Sequence, residues 1–436
     1  MEWWLVLLLM FAGLVVLMAT GMPIAFAFGV LNVVLLYLLV GGVGALQAVA
    51  LSSYGSVASF SFTALPMFLL MGTVVMYSGL ATLAINAIGK WLGRIPGRLA
   101  VLSVISGTVL GGASGSSMAD TAALGMVLIP EMRRRGYDKH LATGCVAICG
   151  ALDVLIPPSA LMVIMGGISR LSVGDLLIGG LMPGLLLSAL TFLYIVALTT
   201  WKPHLAPPYD VGPISWAERV AALRDVLPLI LLIVVVLGSM FAGLATPTEA
   251  AAVGALGAFA LAAAYGRLTR GVVMQSLLNT AEVTGLALLI ITSSTAFSQI
   301  LAHTGAAAGW SRWVTGLAVS PWVILVGMQV VILVMGCFMD SVSIMLITVP
   351  LFFPVVKSMG FDPMWFAIVT VVNIELGLIT PPFGMDLFVL KGVCPPDITL
   401  GDIYRGIVPF IAVNIVALAL VMVFPPLATW LPSLMH

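Results

Sequence analysis

Two proline pairs, Pro157-Pro158 in "ALDVLIPPSALM" and Pro381-Pro382 in "LITPPFGMDLF", stand 224 residues apart inside otherwise hydrophobic runs. The same offset carries Pro23 onto Pro247, Gly112 onto Gly336, Ser117 onto Ser341, Pro130 onto Pro354, Gly136 onto Gly360 and Asp138 onto Asp362. A single register held from residue 23 to residue 158 marks an internal duplication. The fold must therefore be built from two like halves, each tolerating a proline pair in the middle of an element.

The surroundings of the prolines decide the medium. The chain is 61% hydrophobic and 8% charged, with a mean hydropathy of +1.21. Apolar windows of about 20 residues follow one another, as in a multi-pass membrane protein. The N-terminal "MEWWLVLLLMF" lacks a basic n-region and a small-residue cleavage site, so it reads as a first span rather than a signal peptide. Cys145, Cys149, Cys337 and Cys394 show no metal-ligand spacing and read as buried thiols. The four histidines are scattered, Ser117 has no histidine near it in sequence, and no His-Glu-x-x-His occurs, which argues against an intramembrane hydrolase. No catalytic residue is expected.

Breakers divide each half. The first holds spans near 3–19, 22–40 and 58–80, a hairpin over 98–130 with "GGASGSS" at its tip, a broken helix over 140–168 and a span near 175–200. The polar stretch 201–225 reads as the linker between halves. The second half repeats the scheme at 226–243, 247–265 and 279–302, with a hairpin over 320–355 carrying "GCFMDSVS", a broken helix over 364–391 and a last span at 405–430. The pieces of the first hairpin are short for a crossing, and glycine and serine cannot make a lipid-facing loop, so re-entrant hairpins buried in protein are expected. Five crossings per half is an odd number, so the second half runs upside down. The expected fold class is an all-α polytopic membrane protein with an inverted repeat, about ten transmembrane helices, two re-entrant hairpins and two broken helices. With the N-terminus periplasmic, 14 of the 17 Lys and Arg residues fall on the cytoplasmic side, leaving Arg170, Arg312 and Lys357 outside. The first hairpin then enters from the cytoplasm and the second from the periplasm.

Hairpin tips and helix breaks free backbone carbonyls and amides in a low-dielectric place. Carbonyls and hydroxyls suit a hard cation such as Na⁺, and half-helix N-termini suit an anionic group. One proline pair is explained by a packing kink, but two in register beside two serine-rich tips point to two ion sites and to alternating access rather than a channel. Asp120, Asp153, Glu249, Glu282, Asp340, Glu375 and Asp386 lie within or near the hydrophobic zone, where no Lys or Arg falls. Each costs several kcal/mol there unless a cation, a proton or helix amides neutralise it. Thr246, Pro247 and Glu249 spell a capping box. Glu282 sits near a cytoplasmic helix end. Asp120 fits a helix cap or an ion ligand, and Asp340, in the second tip, reads as an ion ligand.

Four stretches, "GGASGSSMADTAALGMVLIPEMRRRGYDKHLA", "LIPPSALMVIMGG", "ATPTEAAAVGA" and "NIELGLITPPFG", resemble the large membrane subunit of tripartite ATP-independent periplasmic (TRAP) transporters, over nearly the whole chain. The resemblance implies a large permease working with a separate small four-helix membrane subunit and a periplasmic solute-binding protein, in the inner membrane. It implies Na⁺ as coupling ion with no cofactor, uptake of organic acids such as C4-dicarboxylates, 2-oxo acids or sialic acids, and an elevator mechanism of the ion-transporter superfamily. A stand-alone Na⁺ or H⁺ symporter of that superfamily is the alternative, and no nucleic-acid partner is expected. By the repeat, 99–200 and 318–433 are assigned to transport, 1–98 and 226–317 to scaffold. The first sodium site is expected from Ser114, Gly115, Ser117 and the segment Asp153 to Pro157, and the second from Gly336, Asp340, Ser341 and Thr380 to Pro382. Ser116, Ser159, Met385 and Asp386 are the expected substrate contacts. Asp153 and Asp386 stand where the family usually has glycine and asparagine. Three roles fit Asp386: an acid serving only its own helix N-terminus, a group receiving a cationic or hydroxyl part of the cargo, or a protonated donor.

The inverted topology makes a direct prediction. In a chain without its native cysteines, single cysteines at Ser52 and Ser215 should react with an impermeant thiol reagent from opposite sides, Ser52 from the periplasm and Ser215 from the cytoplasm. Labelling of both from one side would mean that the number of crossings is wrong.

Overall fold

A backbone in lipid has no water to turn to, so each span must satisfy its own amides, and helices do this within one segment. The computed structural model describes residues 2–93, 95–114, 117–208 and 215–435, and every regular element among them is helical. The first half comprises α1 (Trp3–Ala19), α2 (Ile24–Leu35), α3 (Gly42–Val57), α4 (Ala64–Tyr77), α5 (Leu80–Trp91), α6 (Arg98–Ser114), α7 (Ser117–Arg134), α8 (Lys139–Asp153), α9 (Ala160–Ser169) and α10 (Val173–Trp201). The second comprises α11 (Trp216–Phe241), α12 (Pro247–Ala264), α13 (Arg270–His303), α14 (Ala306–Thr315), α15 (Pro321–Gly336), α16 (Ser341–Ser358), α17 (Pro363–Leu378), α18 (Met385–Val393), α19 (Leu400–Val423) and α20 (Pro426–Ser433). Seven helical segments are long and apolar enough to cross a bilayer, or eight if α4 and α5, bent by 67°, form one span. The four cysteines are free, three of them buried.

Local chemistry sets the helix starts. Asp138 caps α8 by accepting from the His140 and Leu141 amides, and Asp362, 224 residues on, caps α17 by accepting from Trp365. Just before each cap, Gly136 and Gly360 both take φ of +78°, which an L side chain rarely adopts. The Thr246–Glu249 capping box opens α12 as its residues imply. The bounds of α7 map onto those of α16 by the same offset.

The structure differs from the sequence reading at three places. A π-helical turn, Leu36–Gly41, joins α2 to α3, so the segment 41–57 is helical almost throughout rather than an open connection. In the second half, α13 is one helix of 34 residues where a span of 279–302 is expected from hydropathy. Pro66 near the start of α4 lacks the amide needed to continue from α3, whereas the repeat-related Ile290 lets α13 run through. Finally, α11 starts inside the expected linker, because Ser215 and Glu218 form a capping box that no hydropathy window registers.

The broken helices form the centres of their halves. From Leu141 to Asp153 α8 is buried on all sides, with α6, α7 and α19 against it, and α17 is buried from Trp365 to Leu378, with α15, α16 and α19 alongside. Such closeness needs small residues at the crossings. A Cβ on Gly144 would strike the Gly406 carbonyl oxygen, and one on Gly336 would lie 2.6 Å from the Gly377 Cα. Gly377→Ala should therefore cost about 1–3 kcal/mol, read as a lowered unfolding midpoint. Gly327→Ala on α15, with nothing within 4 Å of its added carbon, should be neutral or slightly stabilising. Equal midpoints for the two variants would remove the close-approach argument.

Candidate ion and substrate site

The first break lies between α8 and α9. Ser159 caps α9 by accepting from the Met162 amide at 3.3 Å, and Pro157 is buried beside it. The end of α6 comes down on the last turn of α8: a Cβ on Gly111 would run into the Asp153 carboxylate and its backbone. Of the expected first-site residues, Gly115 lies outside the described residues, as do the Ser114 side chain and the substrate candidate Ser116. Ser117 and Asp153 are both buried.

At the second break, the loop between α17 and α18 is fastened to the tip between α15 and α16. The Gly384 amide donates to the Cys337 carbonyl at 3.3 Å, and the Cys337 thiol donates to the Pro381 carbonyl at 3.7 Å. Gly336 packs backbone to backbone on Gly377. Asp340 is the N-cap of α16: it accepts from the Val342 and Ser343 amides at 3.1 Å each and from the Ser343 hydroxyl. Thr380 returns its hydroxyl to the Leu376 carbonyl at 2.6 Å, and the Pro382 carbonyl accepts from the Tyr404 hydroxyl. Both proline–proline bonds are cis.

The two halves meet through polar side chains. The Ser117 hydroxyl donates to Asp386 Oδ2, 269 residues away in sequence, and the Ser341 hydroxyl donates to Glu375 Oε1 at 3.1 Å. Ser117 also lies beside the Glu375 carboxylate, and the carboxyl groups of Asp120 and Asp153 meet each other. All four acids are at most 1% exposed. Thus the repeat-related serines Ser117 and Ser341, one from each tip, flank a single glutamate.

Glu375 opens onto a cavity of about 640 Å³. One wall holds Ser117, Asp340, Ser341 and Glu375, and the other presents Thr73 from α4 and Asn279 from α13. Asp153, Ser159, Met385 and Asp386 are not among the described residues that line it; Asp386 is turned to Ser117, and Met385 opens α18 half-buried. Sequence reasoning singled out Glu375 as a membrane-depth acid without giving it a role, and it passed over Thr73, Asn279 and Thr121. The signal for the first two was a lone polar residue on an apolar helix, too common to separate from a solvated one. Chemically, the wall offers hydroxyl and carboxylate oxygens and, among the described residues, no basic group, a setting for hard cations and hydrogen-bonding solutes.

Comparison with known proteins now bears on this arrangement. Residues 11–427 match the family described as Tripartite ATP-independent periplasmic transporter, DctM component. The C4-dicarboxylate TRAP transporter large permease protein DctM of Rhodobacter capsulatus is 34% identical over 444 residues, covering 98% of this chain and 99% of that protein. The sialic acid TRAP transporter large permease protein SiaM of Vibrio cholerae serotype O1 is 30% identical over 419 residues, 96% of each. The crystal structure of the Alcanivorax borkumensis YdaH transporter superposes with a TM-score of 0.70 at 15% identity, over 93% of this chain and 99% of that one, a likeness of fold. With the family matched from the first span to the last and both relatives covered end to end, the chain belongs to the DctM family, the large permease subunits of tripartite ATP-independent periplasmic transporters, and is a multi-pass protein of the inner membrane.

Proposed function

We propose that the chain carries out sodium-coupled uptake of a small organic acid, working with a separate small four-helix membrane subunit and a periplasmic solute-binding protein. The observation that carries this reading is the cavity wall, which contains Asp340 and Glu375 and, among its described residues, no lysine or arginine. An anion placed beside two carboxylates in a medium of low dielectric is repelled by several kcal/mol. Cations must enter with it, and the hydroxyl-bearing tips beside the cavity are where hard cations find ligands. The names of the relatives, a C4-dicarboxylate and a sialic acid permease, support an acidic cargo.

Two sodium sites follow from the tips and breaks: Ser114, Gly115 and Ser117 with Asp153 to Pro157, and Gly336, Asp340 and Ser341 with Thr380 to Pro382. In the second, Asp340 and Ser341 are the side-chain ligands of the tip, and Thr380 to Pro382 add hydroxyl and carbonyl oxygens from the break. Transport proceeds by an elevator movement of 99–200 and 318–433, with the two hairpins and broken helices, against a scaffold of 1–98 and 226–317, joined by the linker 201–225. The ten crossings run as an inverted repeat with a periplasmic N-terminus. Packing supports the division: α4 lies on α12 and α13, whereas α7 lies on α8 and α18, α8 on α19, and α15 on α17. The cavity falls between these two groups.

In proteoliposomes holding both membrane subunits and supplied with ligand-loaded binding protein, an inward Na⁺ gradient should drive accumulation and its collapse should stop it. Asp340→Asn keeps a good N-cap and removes only the charge, so it should raise the half-saturating Na⁺ by roughly tenfold. Ser341→Ala should raise it less, roughly fivefold for one lost hydroxyl. Gradient-independent uptake would overturn the coupling, and unchanged sodium dependence in Asp340→Asn would overturn the second site.

A further inference from the structure

We propose that this chain holds a third cation position, at the notch where α7, α8 and α18 meet around Gly150, taking a desolvated monovalent cation such as Na⁺. Gly150 outlines it. A Cβ there would lie 2.5 Å from Thr121 Oγ1, 2.8 Å from Asp386 Oδ2 and 2.9 Å from Ser117 Oγ. No side chain fits at such distances, so the three oxygens crowd together over the bare backbone of a glycine, close enough to one another to share one cation beside it.

The hydrogen bonds around the notch leave oxygen capacity unused. Ser117 gives its one proton to Asp386 Oδ2, which turns its lone pairs away from that bond. Asp386 Oδ1 and Thr121 Oγ1 have no hydrogen-bond partner in the protein, and both residues are 0% exposed. Thr121, like Thr370, leaves its hydroxyl without a partner. Buried helical threonines such as Thr143, Thr191, Thr199 and Thr348 return the hydroxyl to the carbonyl four residues back. Thr121 does not, and its oxygen points at the notch instead. A buried hydroxyl without a partner costs about 1–3 kcal/mol, a deficit that a ligand removes.

Charge points the same way. The ion pairs among the described residues join Arg133 to Asp397, Arg134 and Arg135 to Glu131, and Lys139 to Asp402, and none reaches Asp386. A carboxylate at 0% exposure beside Glu375 therefore lacks a basic partner. The donors are one carboxylate and two hydroxyls, and among the described residues no three His, Cys, Asp or Glu side chains come together as metal ligands. Hard oxygen donors carrying one charge suit an alkali cation better than a transition metal or a calcium ion, which collects more carboxylates. The position shares Ser117 with the first of the two sites above and differs from both in drawing its charge from Asp386 on α18 and a second hydroxyl from Thr121 on α7, so its ion ties the first hairpin to the second broken helix.

Equilibrium binding of radioactive sodium to the purified full-length chain in nanodiscs tests this without reference to transport. Asp386→Asn and Thr121→Val should each bind one ion fewer per chain than the parent, whatever the parent's total, and Thr121→Ser should restore it. Thr191→Val, on α10 with its hydroxyl returned to the Leu187 carbonyl, should keep every ion. Unchanged stoichiometry in Asp386→Asn overturns the proposal; should that variant not fold, equal binding by Thr121→Val and Thr121→Ser does so. A chain that loses one ion in these variants yet shows uptake indifferent to sodium overturns the coupling reading and leaves this position standing.

Discussion

A backbone carbonyl or amide left unpaired inside an apolar bundle costs several kcal/mol, and this chain stops four helices, α6, α8, α15 and α17, in its interior. The rest of the architecture follows from closing those ends. The loop after α17 is closed by Cys337 and Tyr404, α16 starts on Asp340, and α9 starts on Ser159. A break is tolerable only with a facing tip, and a tip only with a facing break. That mutual need explains why proline pair and hairpin recur together 224 residues apart, and why neither is replaced by a plain span.

The backbone repeats more faithfully than the chemistry does. Gly136 and Gly360, Asp138 and Asp362, and the bounds of α7 and α16 keep the offset to the residue. The acids do not. Asp153 corresponds to Gly377, Asp386 to Met162, Asp120 to Ile344 and Asp340 to Ser116. Gly377 lets Gly336 approach backbone to backbone, while in the first half the related approach has Gly111 against the Asp153 carboxylate. Shared caps and turns keep these parts of the two halves alike. The substitutions then give each break its own chemistry.

How much of this can be read from the chain alone depends on the range of the interaction. Caps, glycines with positive φ and proline breaks act over three or four residues, so the starts of α8, α12 and α17 and the places of both breaks are legible in sequence. The start of α11 is equally local, yet a hydropathy window averages over the Ser215–Glu218 box and places the span at 226. The contrast between the break before α4 and the unbroken α13 turns on one residue, Pro66 against Ile290, and a repeat argument that copies one half onto the other smooths it away. Least legible is the pairing of Ser117 with Asp386, because no local rule connects residues 269 apart. Without it, Asp386 reads as facing the cargo, whereas Glu375 lines the cavity.

The asymmetry of the acids has a physical cause where the two broken helices touch. Under the proposed two-fold relation, α8 and α17 are equivalent, and the two helices are in contact. Glu375 corresponds to Ala151. A second glutamate there would add a further buried carboxylate to an interior that already holds Asp120, Asp153, Glu375 and Asp386, and like charges at close range in a low-dielectric interior cannot all remain ionised. With no acid at either position, Ser341 would lose the carboxylate it donates to. One acid flanked by two equivalent hydroxyls satisfies both limits. The acids thus depart from the repeat where the two broken helices touch, and Glu375 against Ala151 is one place where this chain does so.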